Sequence, residues 1–139
     1  STSGLLGNFG QSNYGAAKGG IYGLTRVLAI EGRKYGIKAM CMSPSALTRM
    51  TEDLPKYREL MDSDDGFPVA GQPDTIAQSM VYMCSDLCGM DKSGKVMHVG
   101  RPGIAELKVM RSGGWEPDYA YTAQDIADRE DQIFFPDDD

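Results

Sequence analysis

The 139-residue sequence predicts an α/β protein built on a parallel sheet. Two long stretches space their apolar residues by threes and fours, which is the periodicity of a helix that packs on one face. Short apolar runs bounded by glycine or proline follow both stretches and are typical of buried strands. Because a strand that returns through a helical crossover pairs in parallel with its predecessor, the order strand, helix, strand predicts parallel pairing.

The first helix is predicted between Gln11 and about Lys34. Ser12 or Gln11 stands near the N-cap, and Gly36 follows the basic end, where a C-terminal stop is common. The helix also contains Gly15, Gly19, Gly20 and Gly23. Each costs about 1 kcal/mol relative to alanine. So many glycines indicate that another backbone segment approaches this helix closely.

Two strands and a second helix follow along the chain. The strands are predicted at residues 37–43 and 94–100. The helix opens at Gln72, with Pro73 suited to its first turn, and ends at Cys84 or Ser85. These elements are sufficient for a small parallel sheet with one helical crossover.

The remaining segments carry weaker patterns. A short helix is predicted near residues 56–61, within an otherwise mixed and polar stretch. From Arg101 onward we expect irregular structure, with one acidic helical piece near residues 122–130. We therefore divide the chain into a domain over residues 1–104 and an irregular acidic extension over residues 105–139.

Composition and charge exclude several classes of protein. Apolar residues make up 41% of the chain and the formal net charge is -6, so neither a disordered chain nor a strongly basic nucleic-acid binder is indicated. An acidic protein is repelled by phosphate backbones and by anionic membranes. No stretch approaches the roughly 20 apolar residues that span a bilayer, and no secretory signal is recognisable. We expect no nucleic-acid partner and no membrane partner.

The three cysteines indicate the compartment and bear on metal binding. Their odd number and irregular spacing favour a reducing compartment, so we expect a cytoplasmic protein. A peroxisomal location stays open, although the chain does not end in a Ser-Lys-Leu address. Cys84 and Cys88 would share one helical face, but a metal site needs more ligands and His98 is the only histidine. Partly buried thiols are the favoured interpretation, and we expect no metal.

Tyr14 and Lys18 form a Tyr-x-x-x-Lys pair at the start of the first helix. Their spacing of four places both on one face, so both tips can serve one site. Ser1 lies on the loop that leads into this helix. On spacing alone, an amphipathic helix with an exposed lysine explains the pair equally well.

The sequence around this pair resembles the active-site segment of the short-chain dehydrogenase/reductase family. The resemblance is carried by STSGLLGNFGQSNYGAAK and by the L-A-x-E of the same helix, and it extends over residues 1 to about 104. Within the family, GNFGQSNYGAAKGG, LAIEGRKYGI and SPSALTRMT resemble the (3R)-hydroxyacyl-CoA dehydrogenase domain of peroxisomal multifunctional enzymes type 2 and related bacterial dehydrogenases. The resemblance implies the C-terminal portion of a Rossmann-like, doubly wound parallel sheet in three αβα layers, with the N-terminal half absent.

The resemblance also implies a chemistry, the interconversion of a secondary alcohol and a ketone with NAD or NADP. Tyr14 would move the proton, because a nearby ammonium such as that of Lys18 favours the phenolate of an otherwise poor base. Ser1 would orient the substrate oxygen by a hydrogen bond. Lys18 would also hold the nicotinamide ribose, and Tyr14 would lie against the cofactor. The hydride chemistry belongs to the nicotinamide.

The loop after the first strand resembles the segment that holds the nicotinamide carboxamide in this family. The residues assigned to it are Pro44, Ala46, Leu47 and Thr48. Ser45 replaces the family's usual glycine, and the threonine comes one residue early, so an ordinary Pro-Ser turn is the alternative. Met40 replaces the family's usual asparagine in the strand, so the hydrogen bonds of that asparagine are absent or replaced.

The preferred substrate is a 3-hydroxyacyl-CoA-like thioester, implied by the same resemblance. Met42, Met50 and Met61 could line an acyl pocket, since methionine adapts to irregular shapes, although core packing is favoured for some of them. Arg33, Lys34 and Arg49 could meet a CoA phosphate, but surface solvation is favoured for each. A ketoreductase acting on another carbonyl compound and a non-catalytic homologue used for binding stay open.

The family's dinucleotide-binding glycine turn, which brings phosphate to a helix N-terminus, does not occur in this sequence. The residue that separates NAD from NADP is also missing, and we expect both features before Ser1. We therefore expect the isolated chain not to be a competent enzyme. The full-length parent is expected to be a homodimer or tetramer, with Gly19, Gly20 and Gly23 permitting close contact between helices.

Overall fold

A computed structural model describes residues 1–46, 72–100 and 103–136. The chain divides into two compact units, Ser1–Lys108 and Val109–Asp139. The short helix predicted near residues 56–61 lies outside the described residues. No helix within the described ranges is both long enough and apolar enough to cross a membrane.

Helix α1 spans Ser12–Gly32, which confirms the long helix predicted from the apolar spacing. One 3-10 turn, Arg33–Tyr35, extends it. Gly36 then ends the element with φ 68°, in the left-handed region that glycine adopts without steric penalty. Its amide donates a hydrogen bond to the Arg33 carbonyl, so the predicted stop at Gly36 has the geometry of a C-cap.

Within the described part of the first unit, the sheet has three strands: β1 (Cys41–Pro44), β2 (Val96–Val99) and β3 (Ile104–Leu107). Their order is β1-β2-β3. Strands β1 and β2 are parallel, with Cys41 opposite Val96 and Pro44 opposite Val99, so the predicted parallel pairing is confirmed. Helix α2, Pro73–Cys84, lies between these strands in the chain and begins and ends where the sequence predicted.

Strand β3 corrects the expectation of irregular structure directly after Arg101. It pairs antiparallel to β2, with Ile104 opposite Val99 and Leu107 opposite Val96. Three of its four residues are exposed, because β3 is an edge strand. Without a buried face, its sequence lacks the apolar alternation that reveals half-buried strands.

Among the described residues, the core of the first unit is small and is formed by the strands, one stripe of α1, and the end of α2 with the segment after it. Its buried apolar residues are Ala29, Met83, Cys88, Val96 and Val99. Helix α1 buries Thr25, Ala29 and Gly32, which recur at helical spacing. Its larger apolar residues remain between 46% and 72% exposed; they are Ile21, Leu24, Val27, Leu28 and Ile30.

The second unit contains two short helices, α3 (Ala123–Ala127) and α4 (Glu130–Ile133), where the sequence predicted one acidic helical piece. Thr122 begins α3 with a capping box, in which Asp125 accepts a hydrogen bond from the Thr122 amide at 2.9 Å. The indole of Trp115 packs edge-on against two tyrosine rings and lies 4.6 Å from the guanidinium of Arg129.

The two units differ sharply in charge. Residues 1–108 contain twelve Lys and Arg against eleven Asp and Glu, a formal net charge of +1. Residues 109–139 contain two Arg against nine Asp and Glu, a formal net charge of -7. The acidity of the chain therefore belongs to the second unit alone.

Candidate active site

Ser1, Tyr14 and Lys18 line a single cavity of about 390 Å³ in the first unit. Pro44, at the end of β1, lines the same cavity. The structure therefore brings together three side chains that come from two separate segments of the sequence. Leu47 and Thr48, the other loop residues assigned by resemblance, lie outside the described residues, as do Arg49, Met50 and Met61.

Tyr14 and Lys18 lie on the first two turns of α1, one turn apart. The Lys18 ammonium is 5.3 Å from the centroid of the Tyr14 ring, within the distance at which a cation is attracted to an aromatic face. Tyr14 is 44% exposed, so its phenol remains accessible. The helix thus presents an accessible phenol with a positive charge held beside it.

Ser1 is fixed by a short 3-10 helix, Thr2–Gly4, which it caps. Its Oγ accepts a hydrogen bond from the Ser3 amide at 3.3 Å. Ser3 in turn donates its hydroxyl to the Gln11 side-chain oxygen at 2.7 Å, which fastens the turn to the start of α1. Because the Ser1 oxygen acts as an acceptor here, its hydroxyl proton remains available for donation.

Glycines allow this turn to pack against α1 at backbone distance. A Cβ added at Gly4 would lie 2.6 Å from the Gly19 amide nitrogen, and one at Gly19 would lie 3.1 Å from the Gly4 carbonyl oxygen. A Cβ at Gly15 would lie 3.1 Å from the Ser3 carbonyl oxygen. The predicted close backbone approach is confirmed for these positions of α1.

Gly20 and Gly23 have a different environment. A Cβ added at either position would meet nothing within 4 Å. No described segment therefore requires glycine at these two positions, and the proposed contact between helices of different copies remains a prediction.

Lys18 and Cys41 line this cavity together with Ser1 and Tyr14. The polar end of the cavity therefore carries the positive charge of the Lys18 ammonium, which suits a developing oxyanion.

The rest of the cavity wall is mostly apolar and comes from the end of the 3-10 turn, from α1 and α2, and from β1 and β2. Met42 is the one residue of this wall that the sequence predicts near a substrate. The other wall residues are Leu5, Ile21, Tyr22, Cys41, Ile76, Met80 and Val96. Tyr22 follows Lys18 by four residues and could have been found from helical spacing. Ile76 and Met80 share a face of α2, but no motif links that helix to Tyr14.

The start of the predicted nicotinamide loop is held at the carboxyl ends of the parallel strands. The Ser45 amide donates to the Val99 carbonyl at 2.8 Å, which extends the pairing of β1 and β2 by one bond. A Cβ added at Gly100 would lie 2.6 Å from the Ser45 Cβ, so the two segments touch. Ala46 follows directly. Open α/β sheets bind ligands at this edge.

Met40 stands in the strand where the family usually has asparagine, and it makes a sulfur contact in place of the hydrogen bonds that asparagine would make. The Cys88 thiol donates to the Met40 sulfur at 3.4 Å. Cys88 is buried and lies beyond the end of α2, whereas Cys84 is exposed at that end. The expectation that both thiols share a helical face was therefore wrong, because the helix ends between them. The described residues contain no cluster of His, Cys, Asp and Glu suited to a metal ion.

Known proteins resemble this chain over most of its length. A family model described as enoyl-(acyl carrier protein) reductase matches residues 1–100. A short-chain type dehydrogenase/reductase of Mycobacterium tuberculosis is 39% identical over 131 residues, covering 93% of this chain and 42% of that protein. An acetoacetyl-CoA reductase of Synechocystis is 36% identical over 104 residues, covering 71% of this chain and 42% of that protein. The chain thus spans about two fifths of the length of these relatives.

A solved structure shows the same fold. The full-length peroxisomal multifunctional enzyme type 2 of Drosophila melanogaster matches with a TM-score of 0.71 and 26% sequence identity. The match covers 98% of this chain and 23% of that one. The Rossmann-like α/β class expected from the sequence is therefore confirmed.

Proposed function

Since this chain belongs to the short-chain dehydrogenase/reductase family, we propose that it supplies the catalytic residues of an NAD(P)-dependent oxidoreductase. The reaction interconverts a secondary alcohol and a ketone, and the substrate is a 3-hydroxyacyl-CoA-like thioester. One observation carries the proposal: a phenol, an ammonium and a hydroxyl line the same cavity, at Tyr14, Lys18 and Ser1.

Tyr14 moves the proton in this proposal. During oxidation its phenolate accepts the proton of the substrate hydroxyl, and during reduction its phenol returns a proton to the ketone oxygen. Lys18 is placed to assist this transfer, because its ammonium lies 5.3 Å from the centroid of the Tyr14 ring. The Ser1 hydroxyl donates a hydrogen bond to the substrate oxygen and orients it. Bound nicotinamide would supply the hydride chemistry.

The same residues and the following loop hold the cofactor. Lys18 binds the ribose hydroxyls of the nicotinamide half and Tyr14 lies against it. Pro44, Ala46, Leu47 and Thr48 form the loop that holds the carboxamide. Support comes from Pro44, which lines the cavity, and from the position of this loop at the carboxyl ends of β1 and β2. The cavity has room for about thirteen waters at roughly 30 Å³ each, enough for a nicotinamide ring and a small carbonyl group.

An acyl thioester is favoured as substrate for two reasons. The cavity wall beyond the polar end is apolar, with Met42, Ile76 and Met80 among its residues, so it can exclude water and take a hydrocarbon chain. The Synechocystis relative is named as a reductase of acetoacetyl-CoA, which is a 3-oxoacyl thioester. Both the apolar wall and the substrate named for this relative favour an acyl thioester over a small hydrophilic ketone.

Hydride transfer in a chimaera tests the proposal. The chain is assayed alone and in place of the homologous region of the Synechocystis reductase, with acetoacetyl-CoA and with a simple ketone, by the absorbance of reduced nicotinamide. We expect turnover of the thioester in the chimaera, and we expect Tyr14→Phe to lower kcat at least about a hundredfold, the usual contribution of a positioned acid-base group.

Tyr22→Phe is the matched control, because Tyr22 lines the same cavity from the same helix but has no assigned role. We expect its kcat to change less than about twofold, since the half-buried ring of Tyr22 is kept and only a hydroxyl with no assigned part in the proton transfer is removed. A Tyr14→Phe chimaera as active as the Tyr22→Phe chimaera would refute the assigned proton transfer. Faster turnover of the simple ketone would refute the thioester assignment while leaving the family chemistry intact.

A further inference from the structure

Helix α2 contributes apolar side chains alone to the wall of the candidate active-site cavity. Ile76 and Met80, one turn apart on this helix, both line the cavity. Among the described lining residues, the groups that carry charge or donate hydrogen bonds come from other segments: Ser1, Tyr14, Lys18, Tyr22 and Cys41. A ligand whose polar group is held by the start of α1 therefore meets α2 with its apolar part.

The packing of α2 explains which of its residues reach the cavity. Its buried residues are Ser79 and Met83, which are 7% and 6% exposed and lie four positions apart on one face. The stripe of Ile76 and Met80 runs beside this buried face, since successive residues of a helix are about 100° apart. Val81 lies on the opposite face, is 61% exposed and does not line the cavity. The buried stripe thus holds α2 in place while the neighbouring stripe contacts the cavity.

Met80 offers the cavity an apolar surface that a ligand can cover. It is 46% exposed, although it is a large apolar residue. Its unbranched thioether side chain adapts to the shape of a hydrocarbon chain. Covering such a side chain removes apolar area from water, and each methylene group that takes part adds to the affinity.

We propose that Met80, together with Ile76, makes this site prefer medium-length acyl chains over short ones. The inference rests on the proposed function, in which the hydroxyl of a 3-hydroxyacyl thioester is held at Tyr14 and Ser1. A four-carbon acyl group extends one carbon beyond the reacting carbon, whereas an eight-carbon group extends five. The longer chain therefore offers several methylene groups to the apolar wall, and the shorter chain offers a single methyl group.

A binding measurement tests this preference without requiring catalysis. The 139-residue chain is titrated with 3-hydroxyoctanoyl-CoA and with 3-hydroxybutyryl-CoA while the methionine methyl signals are followed by NMR. We expect the octanoyl compound to bind at least about tenfold more tightly, the discrimination that a methylene group in an apolar pocket can give. It should shift the Met80 signal. Met90 is exposed but does not line the cavity, so its signal should stay in place.

Substitutions on α2 then test whether Met80 is the cause. Met80→Gln keeps the length of the side chain but makes it polar, and we expect it to lower the octanoyl-to-butyryl affinity ratio at least about fivefold. Met80→Leu keeps the apolar contact and should hold the ratio within about twofold of its original value, since swaps between these two residues conserve volume. Val81→Gln makes the same kind of polar change on the opposite face and should leave both affinities unchanged.

Equal affinities for the two thioesters, a Met80 signal that stays in place, or the same affinity ratio in Met80→Gln and Val81→Gln would each overturn the inference. Hydride transfer in the chimaera separates this result from the proposed function. A chimaera that depends on Tyr14 but shows the same chain-length preference with Met80→Gln would overturn the role of Met80 alone. Full turnover in Tyr14→Phe would refute the proposed proton transfer, and the affinity ratios would still decide the role of Met80.

Discussion

The contact between the 3-10 turn and α1 makes a strong prediction, because it holds the segment of Ser1 against the helix that carries Tyr14 and depends on close packing at glycines. Gly4→Ala would put a methyl group 2.6 Å from the Gly19 nitrogen, about 1 Å inside an ordinary van der Waals contact. The atom it meets is backbone, so no side chain can swing away. Overpacking of this kind costs about 1 to 3 kcal/mol.

Gly20→Ala is the matched control, since the new methyl group would meet nothing within 4 Å. In a helix interior this change should stabilise by about 1 kcal/mol. The two variants should therefore differ by about 2 to 4 kcal/mol in the free energy of unfolding. With urea slopes of about 1 to 3 kcal/mol per molar, their midpoints should differ by roughly 0.7 M or more.

Urea unfolding followed by far-ultraviolet circular dichroism measures this difference. In the chimaera, Gly4→Ala should also lower kcat, because relief of the contact moves Ser1 away from the phenol. A Gly4→Ala chain as stable as the Gly20→Ala chain would show that the turn does not pack on α1 as described. Full hydride transfer in the Gly4→Ala chimaera would show that the position of Ser1 is not critical.

Two further predictions concern stability. Lys38→Met should lower the free energy of unfolding in urea by about 1 to 3 kcal/mol. The reason is that the Lys38 ammonium donates a hydrogen bond to the Ser85 carbonyl, just beyond the end of α2, at 2.9 Å. Lys34→Met, at an exposed site, is the control and should change the free energy of unfolding little. The Thr122 hydrogen bonds lower the pKa of Asp125 below its ordinary 3.8, so the α3 cap should be intact above that value and lost as pH falls through the lower folded pKa. NMR of the Thr122 amide in an acid titration measures this loss, and an amide signal that stays unchanged after the Asp125 carboxyl has become protonated would contradict it.

Much of the fold could be predicted because its signals are local. The apolar spacing of α1, the left-handed glycine at Gly36 and the proline at the start of α2 each act within a few residues, and all three predictions agree with the structure. The family was also recognised from local motifs, and the match over residues 1–100 confirms it. Strand β3 was missed because an exposed edge strand needs no apolar alternation.

The candidate site could be predicted only in part. Tyr14 and Lys18 lie four residues apart on one helix, so the sequence alone places both on the same face. Ile76 and Met80 enter the same cavity through the crossover of α2, and their contribution depends on tertiary packing that no spacing reveals. The assigned roles of Ser1, Tyr14, Lys18 and the nicotinamide loop remain predictions.

The division of charge between the two units has a consequence for the behaviour of the protein at high concentration. Residues 1–108 combine a net charge of only +1 with several exposed apolar side chains on α1, a combination that promotes colloidal association. The -7 of residues 109–139 supplies the repulsion that opposes such association. Salt screens this repulsion beyond about 8 Å at physiological ionic strength. Crowded copies are therefore kept apart only at short range, by a segment that takes no part in the proposed chemistry.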